Sequence, residues 1–153
     1  MKNKILIDTN ALILLLIGLM NPKLIPKHKR TSIYEEDDFH QLVSVIGHLE
    51  QLVVLPNVWT EVDNLLNSFS NELKYQYIIR IKALIQTTSE QYLESIKGIE
   101  NGAFLDLGLT DSLLLLYAKN CQLLITSDSR LSDYAIANNI RVFDVIKNRN
   151  DRL

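Results

Sequence analysis

Four short apolar runs, the first three each followed by helix-forming sequence, limit the folds open to this chain more than any other feature. They are Lys4-Ile5-Leu6-Ile7, Leu52-Val53-Val54-Leu55, Leu123-Leu124-Ile125-Thr126 and Ile140-Arg141-Val142-Phe143. Short runs that are apolar on both sides suit strands buried on both faces, as in a parallel sheet. Ile7 leads straight into Asp8-Thr9-Asn10, a cluster of helix-capping residues, and the spacing then predicts a helix through Met20. A second helix is expected over 35–50, with Phe39, Leu42, Val43 and Ile46 on one face. Val58, Val62, Leu65, Leu66 and Phe69 recur at helical spacing, and a helix over 72–86 is expected to turn Tyr77, Ile78, Ile81, Leu84 and Ile85 inward. Gly108 and Thr110 are read as closing a loop and capping a helix over 111–120, and one more helix is expected over 129–138. The stretch 87–102 has no clear period, with a helix around 91–96 as its reading; 21–30, with Pro22 and Pro26, reads as a loop. Strands alternating with helices imply an α/β fold of three layers, with a central, mainly parallel sheet of four or five strands. The domain is expected to span residues 1–153, without repeat or linker.

The bulk composition narrows the function. At 47% hydrophobic, with five Gly and three Pro in 153 residues, the chain can bury a core. Its formal charge is −2 and its pI about 5.9, which excludes a binder that holds nucleic acid by overall charge. A single cysteine, Cys121, allows no internal disulfide and points to a reducing cytoplasm. Lys2 and Lys4 ahead of the apolar run 11–20 imitate a signal peptide, but Asp8 interrupts the approach and Gly18-Leu19-Met20 is a poor cleavage site. The run is too short to span a bilayer, so a buried helix is expected and no membrane partner.

Placed on this map, four acids converge. Asp8 and Asp128 follow the carboxyl ends of two strands; Glu61 lies in the first turns of a helix that leaves another strand; Asp111 begins a helix. Right-handed crossovers bring such positions to one edge of the sheet, where ligands of α/β folds bind. Clustered carboxylates repel one another, and a divalent cation relieves that cost. Mg²⁺ takes oxygen ligands, keeps several waters and commonly uses one or two carboxylates plus substrate phosphate. Each acid also has an ordinary use. Asp8 and Asp128 stand where helix caps stand, Asp111 favours a helix dipole, and Glu61 suits an exposed helix surface.

The same residues resemble a known family. Ile7-Asp8-Thr9-Asn10 after an apolar strand resembles the opening signature of PIN domains, and Thr60-Glu61-Val62 after Leu55-Pro56 resembles their second acidic position. Gly108-Leu109-Thr110-Asp111 resembles the third, and Thr126-Ser127-Asp128 the Thr-x-Asp element that carries the fourth. The resemblance covers nearly the whole chain. It implies a PIN-like fold and a nuclease that hydrolyses phosphodiesters, most often of RNA, with Mg²⁺ or Mn²⁺ at Asp8, Glu61, Asp111 and Asp128, supported by Thr126 or Asn10. Many small members are VapC-type toxins that form homodimers and are silenced by an antitoxin peptide. The segment 21–36 is longer than a minimal toxin of this kind needs.

The basic cluster Lys23, Lys27, Lys29 and Arg30 is the candidate for RNA phosphate contact, with a solvated loop as its ordinary reading. Lys147, Arg149 and Arg152 either add to it or form a frayed tail. His28, His40 and His48 lack zinc-like spacing and are expected at the surface. Trp59 is expected in the core or at its rim, and Cys121 is expected to be inert. Two other functions fit the pattern. One is a silent PIN-like module that binds RNA or protein. The other is a phosphatase with Asp8 as nucleophile, although such enzymes want a second acid where Asn10 stands.

Overall fold

The apolar runs pair as strands because their backbone groups, buried among aliphatic side chains, have no water to bond and must bond each other. In the computed structural model, which describes residues 3–152, these strands form one sheet. Lys2, half of the apparent signal-like basic pair, lies outside the described residues. The strands are β1 (Ile5–Ile7), β2 (Leu52–Val54), β3 (Ser89–Glu90), β4 (Leu123–Thr126) and β5 (Val142–Asp144). All neighbours run parallel, in the order β3-β2-β1-β4-β5. The fold is therefore an α/β domain with a five-stranded, all-parallel sheet flanked by helices.

Among the described residues, eight α-helices connect and follow the strands: α1 (Thr9–Met20), α2 (Glu36–Ile46), α3 (Pro56–Leu66), α4 (Asn71–Thr87), α5 (Ser95–Ile99), α6 (Phe104–Ala118), α7 (Ser129–Ala137) and α8 (Val145–Arg152). Moving from β1 to β2 to β3 runs one way across the sheet, and moving from β3 to β4 to β5 runs the other. Right-handed crossovers then put α1–α4 on one face and α5–α7 on the other. The packing agrees: α1 contacts α2, α3 and α4, while α6 contacts α5 and α7. Residues 11–18 of α1 are all buried, as expected of a helix apolar on every side. Gly18 lets α2 approach closely, since a Cβ there would lie 2.1 Å from the Phe39 ring.

Several expectations need correction. The chain over 22–27 is not an open loop but a 3₁₀ helix, started by Asn21 Oδ1 accepting the Lys23 N–H at 3.0 Å and anchored by buried Ile25. Helix α2 stops at Ile46, and Val43, Ile78 and Ile85 are exposed rather than inward; α4 buries only the narrower stripe Tyr77, Ile81, Leu84. The stretch 87–102 holds β3 and the short α5, not a helix over 91–96. Strand β5 starts at Val142, two residues later than expected.

The basic C-terminal residues form α8 rather than a frayed tail. Asp38 has no exposed side-chain surface, and its carboxylate meets Arg149 and Arg152, each at 3.2 Å. It also accepts the Glu35 N–H at 2.8 Å, while Arg152 reaches Asp37 as well. A buried carboxylate stripped of its partners is strongly destabilising. The double variant Arg149→Met with Arg152→Met should therefore lose about 3–5 kcal/mol in urea unfolding. Adding Asp38→Asn, which keeps the acceptor and removes the charge, should recover much of the loss. Equal midpoints for the wild type and the double variant would show that α8 is not held by this pair.

Candidate functional site

The sheet order decides where a site can form. β1 and β4 are neighbours whose onward connections leave on opposite faces, so a crevice opens between their carboxyl ends. Asp8 lies at that crevice. Its backbone N–H extends the β1–β4 pairing by donating to Ile125 O at 3.0 Å. Its Oδ1 caps α1 by accepting from the Ala11 N–H at 3.0 Å, and its Oδ2 accepts from the Thr126 hydroxyl. The capping reading of Asp8 is thus correct for one oxygen, and the other faces β4. Asp128 follows the same plan across the crevice. Its Oδ1 accepts from the N–H groups of Arg130 and Leu131 at the start of α7, and its own N–H donates to Thr126 Oγ1 at 2.9 Å.

Glu61 and Asp111 arrive from opposite faces of the sheet, on α3 and α6. Glu61 Oε2 accepts from the Thr9 hydroxyl at 3.1 Å, and Oε1 accepts from the Thr110 hydroxyl. Asn57 donates to Thr110 Oγ1 at 3.1 Å, which completes the relay. Gly108 breaks α6 with φ 80°, ψ 179°, a conformation that favours glycine, and the helix restarts just before Thr110 and Asp111. The turn before the break, unforeseen in the sequence, is tied to α7: Arg130 donates to Asp106 O at 3.3 Å, and the Tyr134 hydroxyl donates to the Asp106 carboxylate.

The electrostatics join the four acids. Burial pushes the Asp111 carboxyl up to about 7, helped by the charges of Asp128 and Asp8, a hydrogen bond to Asp128 and the charge of Glu61. Burial likewise raises Asp8 to about 6 against the opposing hydrogen bonds, with a further rise from Asp128. Among the described residues no Lys, Arg or His pairs with any of the four. Nor do three acidic, histidine or cysteine side chains form a ready-made metal cage. Asp111 beside Asp128 is nonetheless a donor set of the kind that a largely hydrated Mg²⁺ or Mn²⁺ accepts, since such ions need only one or two carboxylates. The donor chemistry fits the ion.

Other expected residues lie elsewhere. Asn10 is exposed; one residue back, Thr9 faces Glu61, because neighbouring helix positions point about 100° apart. Lys23, Lys27, Lys29 and Arg30 are exposed, and their side chains make no hydrogen bond or ion pair to the acids among the described residues. His28 is half-buried against Phe69, with ring centroids 5.1 Å apart, rather than free at the surface. Trp59 is buried, and burial lifts the Cys121 thiol to about 11, which keeps it unreactive. The sequence reading missed Tyr34. It is buried, its hydroxyl lies 2.5 Å from Ser127 Oγ, and its ionisation is opposed first by burial and then by the charges of Asp8, Asp38 and Asp144. No helix among the described residues is long and apolar enough to cross a membrane.

No family model matches the chain, and no curated protein does. Among solved structures the chain is similar to a domain of a functionally unknown protein from Methanocaldococcus jannaschii DSM 2661. The match has 18% identity and a TM-score of 0.48, and it covers 93% of this chain and 90% of that one.

The raised acids set a pH dependence opposite to ordinary acid denaturation. Asp8 and Asp111 ionise near 3.8 when unfolded but only at about 6 and about 7 when folded. Between those values the folded chain binds more protons, so stability falls as pH rises through the window. In chelator, the thermal midpoint should be higher at pH 5 than at pH 7.5, and Asp111→Asn should shrink the difference. A midpoint that rises over this range would contradict the assigned environment.

Proposed function

We propose that the protein is a PIN-type nuclease that hydrolyses RNA phosphodiesters with Mg²⁺ or Mn²⁺. The observation that carries this reading is the meeting of four acids, from four elements on both faces of the sheet, at one crevice with no basic partner among the described residues. Asp111 and Asp128 would hold the ion, with Asp8 and Glu61 completing its acidic surroundings directly or through water. A bound divalent ion polarises the phosphodiester and makes a water more acidic. The chain supplies placement: Thr126 orients Asp8, and Thr9 and Thr110 orient Glu61. The exposed cations Lys23, Lys27, Lys29 and Arg30 would meet the RNA backbone at a distance from the cut. The setting we propose is that of a VapC-like toxin, acting in the cytoplasm as a homodimer and restrained by an antitoxin.

Purified protein should cleave mixed RNA when Mn²⁺ or Mg²⁺ is added and not in chelator. Asp8→Asn and Asp111→Asn should each reduce cleavage by about a hundredfold or more, the scale of losing one group that stabilises transition-state charge. Undiminished cleavage by either folded variant would refute the assignment.

Neutralising Lys27, Lys29 and Arg30 together should flatten the plot of log affinity against log salt by roughly 2, if each meets one phosphate of a single strand. An unchanged slope would remove this segment from the RNA path.

A further inference from the structure

A mixed polar and apolar groove leads away from the acids, between α7, β5 and α8. It consists of two adjoining cavities, of about 460 and 250 Å³, that share Ser132, Asp144 and Lys147. The nearer cavity is bounded by Ser127 and Ser129, the two residues that flank Asp128. Asp144 stands in register with Thr126 across the β4–β5 pair, so the groove starts at the sheet edge that carries the acids. Tyr34 is influenced by both Asp8 and Asp144, which agrees with this closeness. The farther cavity is walled by Val142, Phe143 and Ile136, and its polar lining includes Asn148 and Asp151. The Asn148 side-chain nitrogen is buried and has no hydrogen-bond partner among the described residues. A buried donor left unpaired is costly, and an acceptor on a ligand would satisfy it.

We propose that this groove receives one nucleobase of a single-stranded RNA, next to the phosphodiester placed at the acids. The placement beside a cut site rests on the nuclease reading; the base pocket itself does not. The acids Asp144 and Asp151 disfavour a phosphate in the deeper part but accept N–H groups of a neutral ring. The Asn148 amide donates to a carbonyl of the base, and the Phe143 side offers an apolar wall of the kind on which bases stack. Lys147, at the junction, is free to meet the flanking phosphate. Guanine and uracil carry an N–H beside a carbonyl along one edge, whereas adenine carries no carbonyl and is the poorest fit.

The test uses the whole protein in chelator, so that binding is read without cleavage. Five-residue oligouridylate and oligoadenylate are titrated into ¹⁵N-labelled protein, and the Asn148 side-chain amide and the Lys147 backbone amide are followed. Oligouridylate should shift both signals and bind about tenfold more tightly than oligoadenylate, the value of one hydrogen bond left unmade. Asn148→Leu should erase that preference, and Lys147→Gln should weaken both ligands alike. Equal binding of the two oligomers, shifts confined to the segment 23–30, or an unaltered preference in Asn148→Leu would each overturn the proposal. Base-selective binding in a protein that cleaves no nucleic acid with Mn²⁺ would sustain the pocket and remove the nuclease reading. Cleavage by a protein with no base preference would do the reverse.

Discussion

The bond from the Thr126 hydroxyl to the buried Asp8 carboxylate is the contact on which the arrangement of the site depends. It joins the ends of β1 and β4, the two strands whose onward connections part to opposite faces. Thr126 also accepts from the Asp128 backbone, so one hydroxyl sets both acids that flank the crevice. On each side a further hydroxyl does similar work, with Thr9 and Thr110 holding Glu61. Neutral donors fix these carboxylates without cancelling their charge. The contrast with Asp38 is instructive: there the chain answers a buried carboxylate with two arginines. At the crevice no such cation stands among the described residues, so burial raises the pKa values of Asp8 and Asp111 unopposed by a positive charge.

Much of the architecture was legible because burial leaves a mark on composition. β1, β2 and β4 lie in the middle of the sheet or beside it, covered on both faces, and so read as aliphatic runs. β3 could not be read that way. It is a two-residue edge strand, Ser89–Glu90, that joins through backbone bonds to β2, and backbone pairing leaves no side-chain pattern. α8 was obscured for a related reason. It is polar, and what holds it is an ion pair to Asp38, more than a hundred residues earlier in the chain. The 3₁₀ helix at 22–27 hid behind its two prolines, which read as loop residues although one of them begins a helical turn.

The acids were legible because strand ends and helix starts can be located from local signals, and topology then brings those points together. Their hydroxyl partners were less so. Thr126 was found because it shares a short motif with Asp128; Thr9, Thr110 and Tyr34 make contacts that span dozens of residues. The choice between Thr9 and Asn10 turned on one step of helix rotation, which residue type does not reveal. The capping interpretation and the site interpretation of Asp8 are not rivals, since the two carboxylate oxygens serve different donors. A helix cap also points its carboxylate at the positive end of the helix dipole, which favours the charged form.

On the metal-dependent reading proposed above, that double use would set how a proton and a divalent ion compete for the crevice. Burial, with the charge of Asp128 beside it, raises Asp111 to about 7, so near neutral pH this carboxyl is poised between holding a proton and releasing it. Oxygen ligands bind a cation only when deprotonated, so an ion entering there would displace the proton it found. Affinity for such an ion would then weaken as pH falls below about 7, where Asp111 keeps its proton. The same crowding that destabilises the crevice at neutral pH would favour a cation there. A substrate phosphate, itself anionic, would raise that demand again on arrival, which ties ion binding to substrate binding through charge alone.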